Sequence, residues 1–443
     1  MTEEVIRGTF SLCPVCLTRI PAYYAATGDE AFMKKTCREH GDFSTVVWRG
    51  LNDIDMKAWG APGAELTEKN CPPCPSGCGL CDEHIRDTCC IMLEVTGRCN
   101  LMCKYCFAGE RAEADDPPLE TVLKQISDIA GMGKTFLQLS GGEPTLRDDL
   151  PEIVLHAKQC GFEYIQLNSN GLRLAEDDEY VLRLANAGLS FVFMQFDGTK
   201  DDINIELRGQ PLFLKKRKAV SVCAKYNLGV SFVSTVVPGV NDDNIGDFIR
   251  MAVSLSPMVR GVHFQPVSYF GRYPAVPVND MRITLPEILR EIEKQTNGQI
   301  ALKNFSASCC DHPLCGFHGD FVVMPDGLHS LRPAVNEACD CETQADDGEV
   351  SSCCGSNPAK KNQRFVGRRW KRRESCCESG DAPADLTTLD GFLDRVSSHG
   401  FTITAMAFQD CFNIDLERLR RCSMHVYDGG KVIPLCVRYL TYI

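Results

Sequence analysis

Cys99, Cys103 and Cys106 stand in the run Thr96-Gly-Arg-Cys99-Asn-Leu-Met-Cys103-Lys-Tyr-Cys106-Phe, a CxxxCxxC spacing on one short loop. Thiolates so placed ligate three irons of a [4Fe–4S] cluster and leave the fourth iron open, whereas electron-transfer clusters use four protein thiolates. An open iron invites an external ligand, so the chemistry expected is that of a redox centre with a small molecule bound directly to it. A structural zinc knuckle would need a fourth ligand close by. It would also leave unexplained a second motif, Ser140-Gly141-Gly142-Glu143-Pro144-Thr145, whose glycines admit close backbone approach.

The other cysteines extend the metal reading. There are 26 in 443 residues. Disulfide density of that order belongs to short secreted chains, and the opening MTEEVIRGTF lacks the basic-then-apolar order of a signal peptide. A reducing cytoplasm is therefore expected, with most thiols serving as ligands. Cys13-Pro-Val-Cys16 and Cys37-Arg-Glu-His40 frame one tetrahedral ion, iron or zinc, with His40 either the fourth ligand or a bystander. Six cysteines follow between residues 71 and 90. Of these Cys71, Cys78, Cys81 and Cys89 are assigned to an auxiliary [4Fe–4S] cluster, leaving Cys74 and Cys90 spare. Cys310, Cys315, Cys422 and Cys436 are assigned to a second auxiliary cluster that would staple the C-terminus to the core. Cys160 and Cys223 lie in helical patterns and read as core thiols.

Stepping outward, short apolar strands alternate with amphipathic helices from about residue 90 to 300. The strands are expected at Ile91–Thr96, Thr135–Leu139, Glu163–Asn168, Leu189–Phe196, Gly229–Val236 and Arg260–Pro266. Helical patterns such as 148–160 and 176–187 lie between them, stopping at Gly161 and Gly188. Six β/α units imply an α/β fold, a partial (β/α)6 barrel with its chemistry at the C-terminal ends of the strands. The expected organisation is a mononuclear metal module over 1–60, an auxiliary-cluster segment over 61–90, the barrel over 91–300 and a C-terminal iron–sulfur domain over 301–443. Within the last, residues 339–380 turn from acidic to basic between cysteine pairs and read as an inserted thiol-rich loop. The net charge of −12 argues against a nucleic-acid partner, and no apolar run is long enough for a transmembrane segment.

With these pieces in place the chain resembles the radical S-adenosylmethionine (SAM) superfamily. Beyond the cysteine loop and SGGEPT, the phrases SLCPVC, CREHG, CGLCDEH, FQPVSYFGR, CDHPLC and FNIDLERLRRCSMHV are similar to one branch. That branch holds the tetraether lipid synthase, a pterin methylase and the TrsS-type radical SAM (seleno)proteins, the last being the most similar. The resemblance implies a catalytic cluster on Cys99, Cys103 and Cys106 with SAM on the open iron, and reductive cleavage to a 5′-deoxyadenosyl radical. It places Gly141, Gly142 and Glu143 against the methionine amine, Tyr105 near the adenine, and Asn168 and Asn170 near the ribose. It also implies a low-potential reductant such as flavodoxin or ferredoxin, and a companion methyltransferase. The expected reaction is hydrogen abstraction followed by carbon–carbon bond formation or carbon transfer. A peptide maturase or dehydrogenase, and a multi-cluster electron-transfer protein, are the alternatives. Gln195, Asp197, His263, Gln265, Tyr269 and Arg272 are candidates to line the substrate cavity.

Overall fold

The structure is a computed structural model, and it describes residues 3–60, 84–85, 87–109, 116–308, 310–332, 363, 367, 369–370, 386 and 388–441. The assignments made for Cys71, Cys74, Cys78 and Cys81, and the cysteines of 339–380, lie outside the described residues.

The first 60 residues, where the sequence shows little periodicity, form a four-stranded antiparallel sheet. Its strands are β1 (Glu4–Leu12), β2 (Arg19–Thr27), β3 (Glu30–Cys37) and β4 (Gly41–Arg49), paired in chain order. Burial alternates along β2 at Ile20, Ala22 and Tyr24, and along β3 at Ala31, Met33, Lys35 and Cys37. The lysine in that inward row hides the alternation from a hydropathy reading. Its ammonium is held by Ser11 Oγ at 3.0 Å, the Leu12 carbonyl at 2.7 Å and the Cys411 carbonyl at 2.8 Å, and burial lowers its pKa to about 8.

The expected six parallel strands are present, in chain order: β5 (Cys90–Thr96), β6 (Phe136–Gly141), β7 (Tyr164–Ser169), β8 (Phe191–Gln195), β9 (Gly229–Val236) and β10 (Val259–Pro266). The helices between them bury one stripe each. In α1 (Leu119–Gly131) it is Val122, Ile126 and Ile129, at the spacing that aligns side chains on one helical face. The patterns at 148–160 and 176–187 become α2 (Leu150–Gln159) and, after a single turn α3 (Leu172–Glu176), α4 (Asp178–Asn186). Gly161 and Gly188 take φ of +93° and +98°, the left-handed stop that glycine accepts without strain.

The described part of 301–443 does not stand apart from this sheet. After α5 (Asp201–Arg208), α6 (Phe213–Lys225), α7 (Ile245–Ser254) and α8 (Leu285–Gln295), the chain adds strands to both edges. On one side β12 (Gly316–Met324) pairs antiparallel with β14 (Gly400–Met406), which lies parallel to β10; β11 (Ser306–Ala307) and β13 (Gly327–Ser330) flank β12. On the other, β15 (Met424–Asp428) lies parallel to β5 and is followed by β16 (Lys431–Pro434). An unpaired β5 or β10 would expose a row of backbone donors and acceptors, and the C-terminal strands cover both. Helices α9 (Leu389–His399), α10 (Leu416–Arg420) and α11 (Leu435–Arg438) complete the chain. Among the described residues no helix is long and apolar enough to cross a membrane.

The N-terminal sheet is clamped to α10 through Asp415. This buried carboxylate accepts from Arg7, from Thr9 Oγ1 at 2.6 Å, from the Tyr24 hydroxyl at 2.7 Å and from the Glu417 amide at 2.9 Å.

Candidate functional site

A cavity of about 260 Å³ opens among the strand ends of the parallel sheet, and Cys99, Cys103 and Cys106 all line it. The three sit on the loop that leaves β5. Leu101, Leu172 and Leu212 pack around them, and burial raises the Cys99 thiol to a pKa of about 11. The loop is held by a two-way bridge with Arg272. Cys106 N–H donates to the Arg272 carbonyl at 3.0 Å, Arg272 N–H returns a bond to the Cys106 carbonyl at 2.8 Å, and the guanidinium reaches the Cys103 carbonyl at 3.0 Å. Arg272 thus supports the cysteine loop and does not line this cavity.

The glycines of SGGEPT have a local reason that concerns the loops themselves. A Cβ on Gly141, at φ +129°, would lie 2.1 Å from the Thr96 carbonyl oxygen; one on Gly142 would lie 2.1 Å from that of Arg98. Both side chains must be absent for this loop to hydrogen-bond the cysteine loop, through Gly142 N to Thr96 O at 2.9 Å and Glu143 N to Arg98 O at 2.7 Å. Glu143 is fully buried. Its Oε1 accepts from Thr145 N, Thr145 Oγ1 and Ser169 Oγ, and its Oε2 from Asn170 N at 2.7 Å, which leaves Oε2 the freer oxygen. Burial raises its pKa against the pull of these four bonds. Asn168 and Asn170 line the same cavity, the latter joined to Asn100 at 2.7 Å, and Tyr105 lines it edge-on to Tyr269.

Of the other strand-end candidates, Gln195, His263 and Gln265 face the cavity. His263 bonds Thr404 Oγ1 at 2.8 Å, and burial lowers its pKa to about 4, so it is a neutral imidazole at pH 7. Tyr269 is fully buried and bonds the Met281 carbonyl, and Asp197 is buried beneath the cavity, so neither lines it. Asp197 holds Arg208 instead, through two bonds of 2.8 and 2.6 Å. Arg208 reaches the cavity wall beside Cys103, and no spacing signal in the sequence marks it.

The C-terminal cysteines do not line the cavity themselves. Cys315 and Cys436 lie near enough to raise the pKa of Cys422, and Cys315 that of Cys436, with Asp311 acting on both. Asp311 ties the two loops by accepting from Ser423 N and Oγ, each at 2.8 Å. Cys436 Sγ receives the Gln409 amide at 3.3 Å and Cys315 Sγ the Arg418 guanidinium at 3.4 Å. Cys310 instead meets Cys89, so the structure brings together two cysteines that the sequence assigns to different clusters. Met424 and Leu435, next to Cys422 and Cys436 in the chain, line the cavity wall. Cys223 is a core thiol; Cys160 is half-buried against His156 and Ser127.

Among the described residues, one group of such ligands is drawn within the reach of a single ion: Cys13, Cys16, Cys37 and His40, whose ligand atoms all lie within 4.8 Å of one another. Cys16 and Cys37 sulfurs are 4.0 Å apart, and His40 Nδ1 lies 3.4 Å from Cys37 and 3.7 Å from Cys13. Tetrahedral zinc with bonds of about 2.3 Å spaces sulfurs roughly 3.8 Å apart, so the set fits zinc with His40 as a ligand. The hydrogen bond from His40 lowers the Cys37 thiol to a pKa of about 6. Cys99, Cys103 and Cys106 are not drawn within single-ion distance of one another in this way.

Comparison with known proteins agrees with this division. Residues 93–252 match the family model described as the radical SAM superfamily, and residues 5–49 match the HMPTM N-terminal zinc ribbon domain. The chain is 29% identical to 7,8-dihydro-6-hydroxymethylpterin dimethyltransferase of Methanocaldococcus jannaschii, over 97% of this chain and 92% of that one. It is 38% identical to a probable GTP 3′,8-cyclase of Methanothermobacter thermautotrophicus, over 38% of this chain and 55% of that protein. Among solved structures, Streptococcus suis SuiB bound to precursor peptide SuiA aligns at 13% identity and a TM-score of 0.38, covering 48% of this chain and 46% of SuiB. Residues 93–252 are a radical SAM superfamily domain, and the chain is a radical SAM enzyme.

Proposed function

We propose that this chain cleaves SAM reductively to a 5′-deoxyadenosyl radical, which abstracts hydrogen from an unactivated carbon of a substrate in the cavity and leads to carbon–carbon bond formation or carbon transfer. The observation that carries the reading is one cavity shared by Cys99, Cys103 and Cys106, the Glu143 loop and the ends of the parallel strands, which we take as a partial (β/α)6 barrel. A [4Fe–4S] cluster held by those three thiols, with SAM on its open iron, would supply the electron that breaks the sulfonium carbon–sulfur bond. Glu143 offers its freer oxygen to the methionine ammonium, Asn168 and Asn170 face the ribose, and Tyr105 packs by the adenine. Arg208, neutralised by Asp197, places a cation beside Cys103 without adding net charge. The apolar lining from Met92, Phe193, Phe270 and Leu435 keeps water from the radical.

Cys310, Cys315, Cys422 and Cys436 would hold an auxiliary cluster, and Cys71, Cys78, Cys81 and Cys89 a second, with the Cys310–Cys89 contact lying between the two sets. The ribbon ion would be zinc. A low-potential reductant such as flavodoxin or ferredoxin supplies the electron, and a companion methyltransferase fits a carbon-transfer role. The TrsS-type group is the proposed branch. The near full-length likeness to a protein named for dimethylating a pterin supports carbon transfer and makes a pterin the first substrate to try.

Anaerobic reconstitution tests the scheme. About twelve irons per chain with matching sulfide, plus one zinc, are expected for three clusters and a zinc ribbon. About four irons would remove the auxiliary clusters from the account and leave the catalytic one.

A further inference from the structure

The segment 339–380 reads in the sequence as an inserted loop, yet its described residues form part of the barrel floor. Gln363, Gly367, Arg369 and Trp370 are helical, and Gln363, Gly367 and Trp370, at i, i+4 and i+7, are all buried. The packing is close: a Cβ on Gly367 would lie 2.2 Å from the Tyr164 ring, so only glycine lets this turn seat against the start of β7. Arg369 pairs with Asp320 at 2.6 Å, and its carbonyl accepts from Arg260 at 2.7 Å. Trp370 Nε1 donates to Thr402 Oγ1 at 2.9 Å, and the indole stacks on Phe193 at 5.2 Å and meets Phe191 edge-on at 5.4 Å. Phe191 begins β8 and Thr402 lies near the start of β14, so Trp370 enters from the strand ends opposite the cysteine loop. It lines the cavity there.

Away from Glu143 and Arg208, which lie toward the cysteine loop, the polar part of the wall is uncharged. Gln138, Gln166, Gln195 and Gln265 present carboxamides from four strands, and His263 is neutral. Burying a charged group against such a wall would be costly, whereas the edge of a neutral heterocycle can exchange hydrogen bonds with amides. Gln166 supplies a specific sign of a missing partner: it is fully buried, lines the cavity, and its Oε1 has no hydrogen bond among the described residues.

We propose that Trp370 is a specificity-determining residue that closes the inner end of the substrate cavity, and that the part of the substrate reaching it is a flat, uncharged heterocycle with an N–H edge toward Gln166. This rests on the reading of the cavity as the substrate site. Aromatic side chains at the floor supply large apolar area in a fixed geometry, and a saturated or anionic group would gain little from it. Trp370 would thus tune substrate choice from the end of the cavity away from the cysteine loop.

The test uses the reconstituted full-length chain with SAM, titrated anaerobically with 6-hydroxymethylpterin and followed by the pterin's own fluorescence. Trp370→Leu is expected to weaken binding roughly tenfold or more, Trp370→Phe less, and Gly367→Ala is expected to act in the same direction without altering the indole. Should Trp370→Leu not fold, the Phe and Gly367→Ala variants carry the comparison. Binding unchanged in Trp370→Leu or Gly367→Ala overturns the proposal, as does wild-type protein that forms 5′-deoxyadenosine but does not bind the probe. Wild-type protein that binds the probe yet never forms 5′-deoxyadenosine sinks the radical reading instead, and the variants then still decide the role of Trp370.

Discussion

Replacing Asp197 by alanine should be among the most damaging single changes near the cavity that touch none of the cysteines. Asp197 is buried and holds the buried Arg208 guanidinium through two hydrogen bonds, while also accepting from the Thr235 amide at 3.1 Å. Without it a guanidinium is left uncompensated in a low-dielectric site, a loss of about 3–5 kcal/mol by precedent for buried pairs. The double change Asp197→Leu with Arg208→Met removes both charges and should cost less than Asp197→Ala alone. The pH dependence has a definite sign. Burial works to raise the Asp197 carboxyl, but Arg208, joined by Lys216 and the Thr235 amide, holds the pKa below the ordinary carboxylate value. The pair's stabilisation is therefore complete above the unfolded carboxyl pKa and is lost only as pH falls through the depressed folded value. Anaerobic urea unfolding followed by fluorescence, at neutral pH and in acid, measures each quantity. Costs for the single and double changes that simply add, or an Asp197→Ala cost below about 1 kcal/mol, would refute the argument.

Gly142→Ala should separate the SGGEPT and cysteine loops, because its Cβ meets the Arg98 carbonyl at 2.1 Å; a loss of about 1–3 kcal/mol and weaker SAM binding by equilibrium dialysis are expected. His263, with its folded pKa lowered to about 4, binds fewer protons than the unfolded chain between pH 4 and 6.5, so stability rises with pH across that window. His263→Gln should flatten that part of the stability profile measured by thermal melts. Cys37→Ser should remove one zinc per chain by metal analysis and lower the melting temperature, since Lys35 on the same strand locks the ribbon to Cys411. Retained zinc in Cys37→Ser would contradict the four-ligand site.

What the sequence shows depends on how local the physics is. The cysteine loop, SGGEPT and the six parallel strands are legible because each is a short run whose spacing or apolar character stands alone. The four-stranded ribbon is obscured because its inward row includes Lys35, Thr9 and Ser11, whose partners lie on distant segments. The placement of β14 and β15 on opposite edges of the sheet is a long-range pairing with no local mark. Arg272, read as a cavity residue, serves the backbone of the cysteine loop, a role that depends on its carbonyl and amide as much as on its charge. Trp370 shows the opposite case: a charged, low-complexity setting conceals one aromatic residue on a buried helical face.

The central claim is radical formation on Cys99, Cys103 and Cys106, and the direct test is 5′-deoxyadenosine released from SAM after reduction by dithionite. Wild-type reconstituted protein should form it, and Cys99→Ala, Cys103→Ala and Cys106→Ala should each abolish it while the zinc stays bound in the ribbon. Wild-type protein shown to bind SAM and to be reduced, yet forming no 5′-deoxyadenosine, would contradict the account.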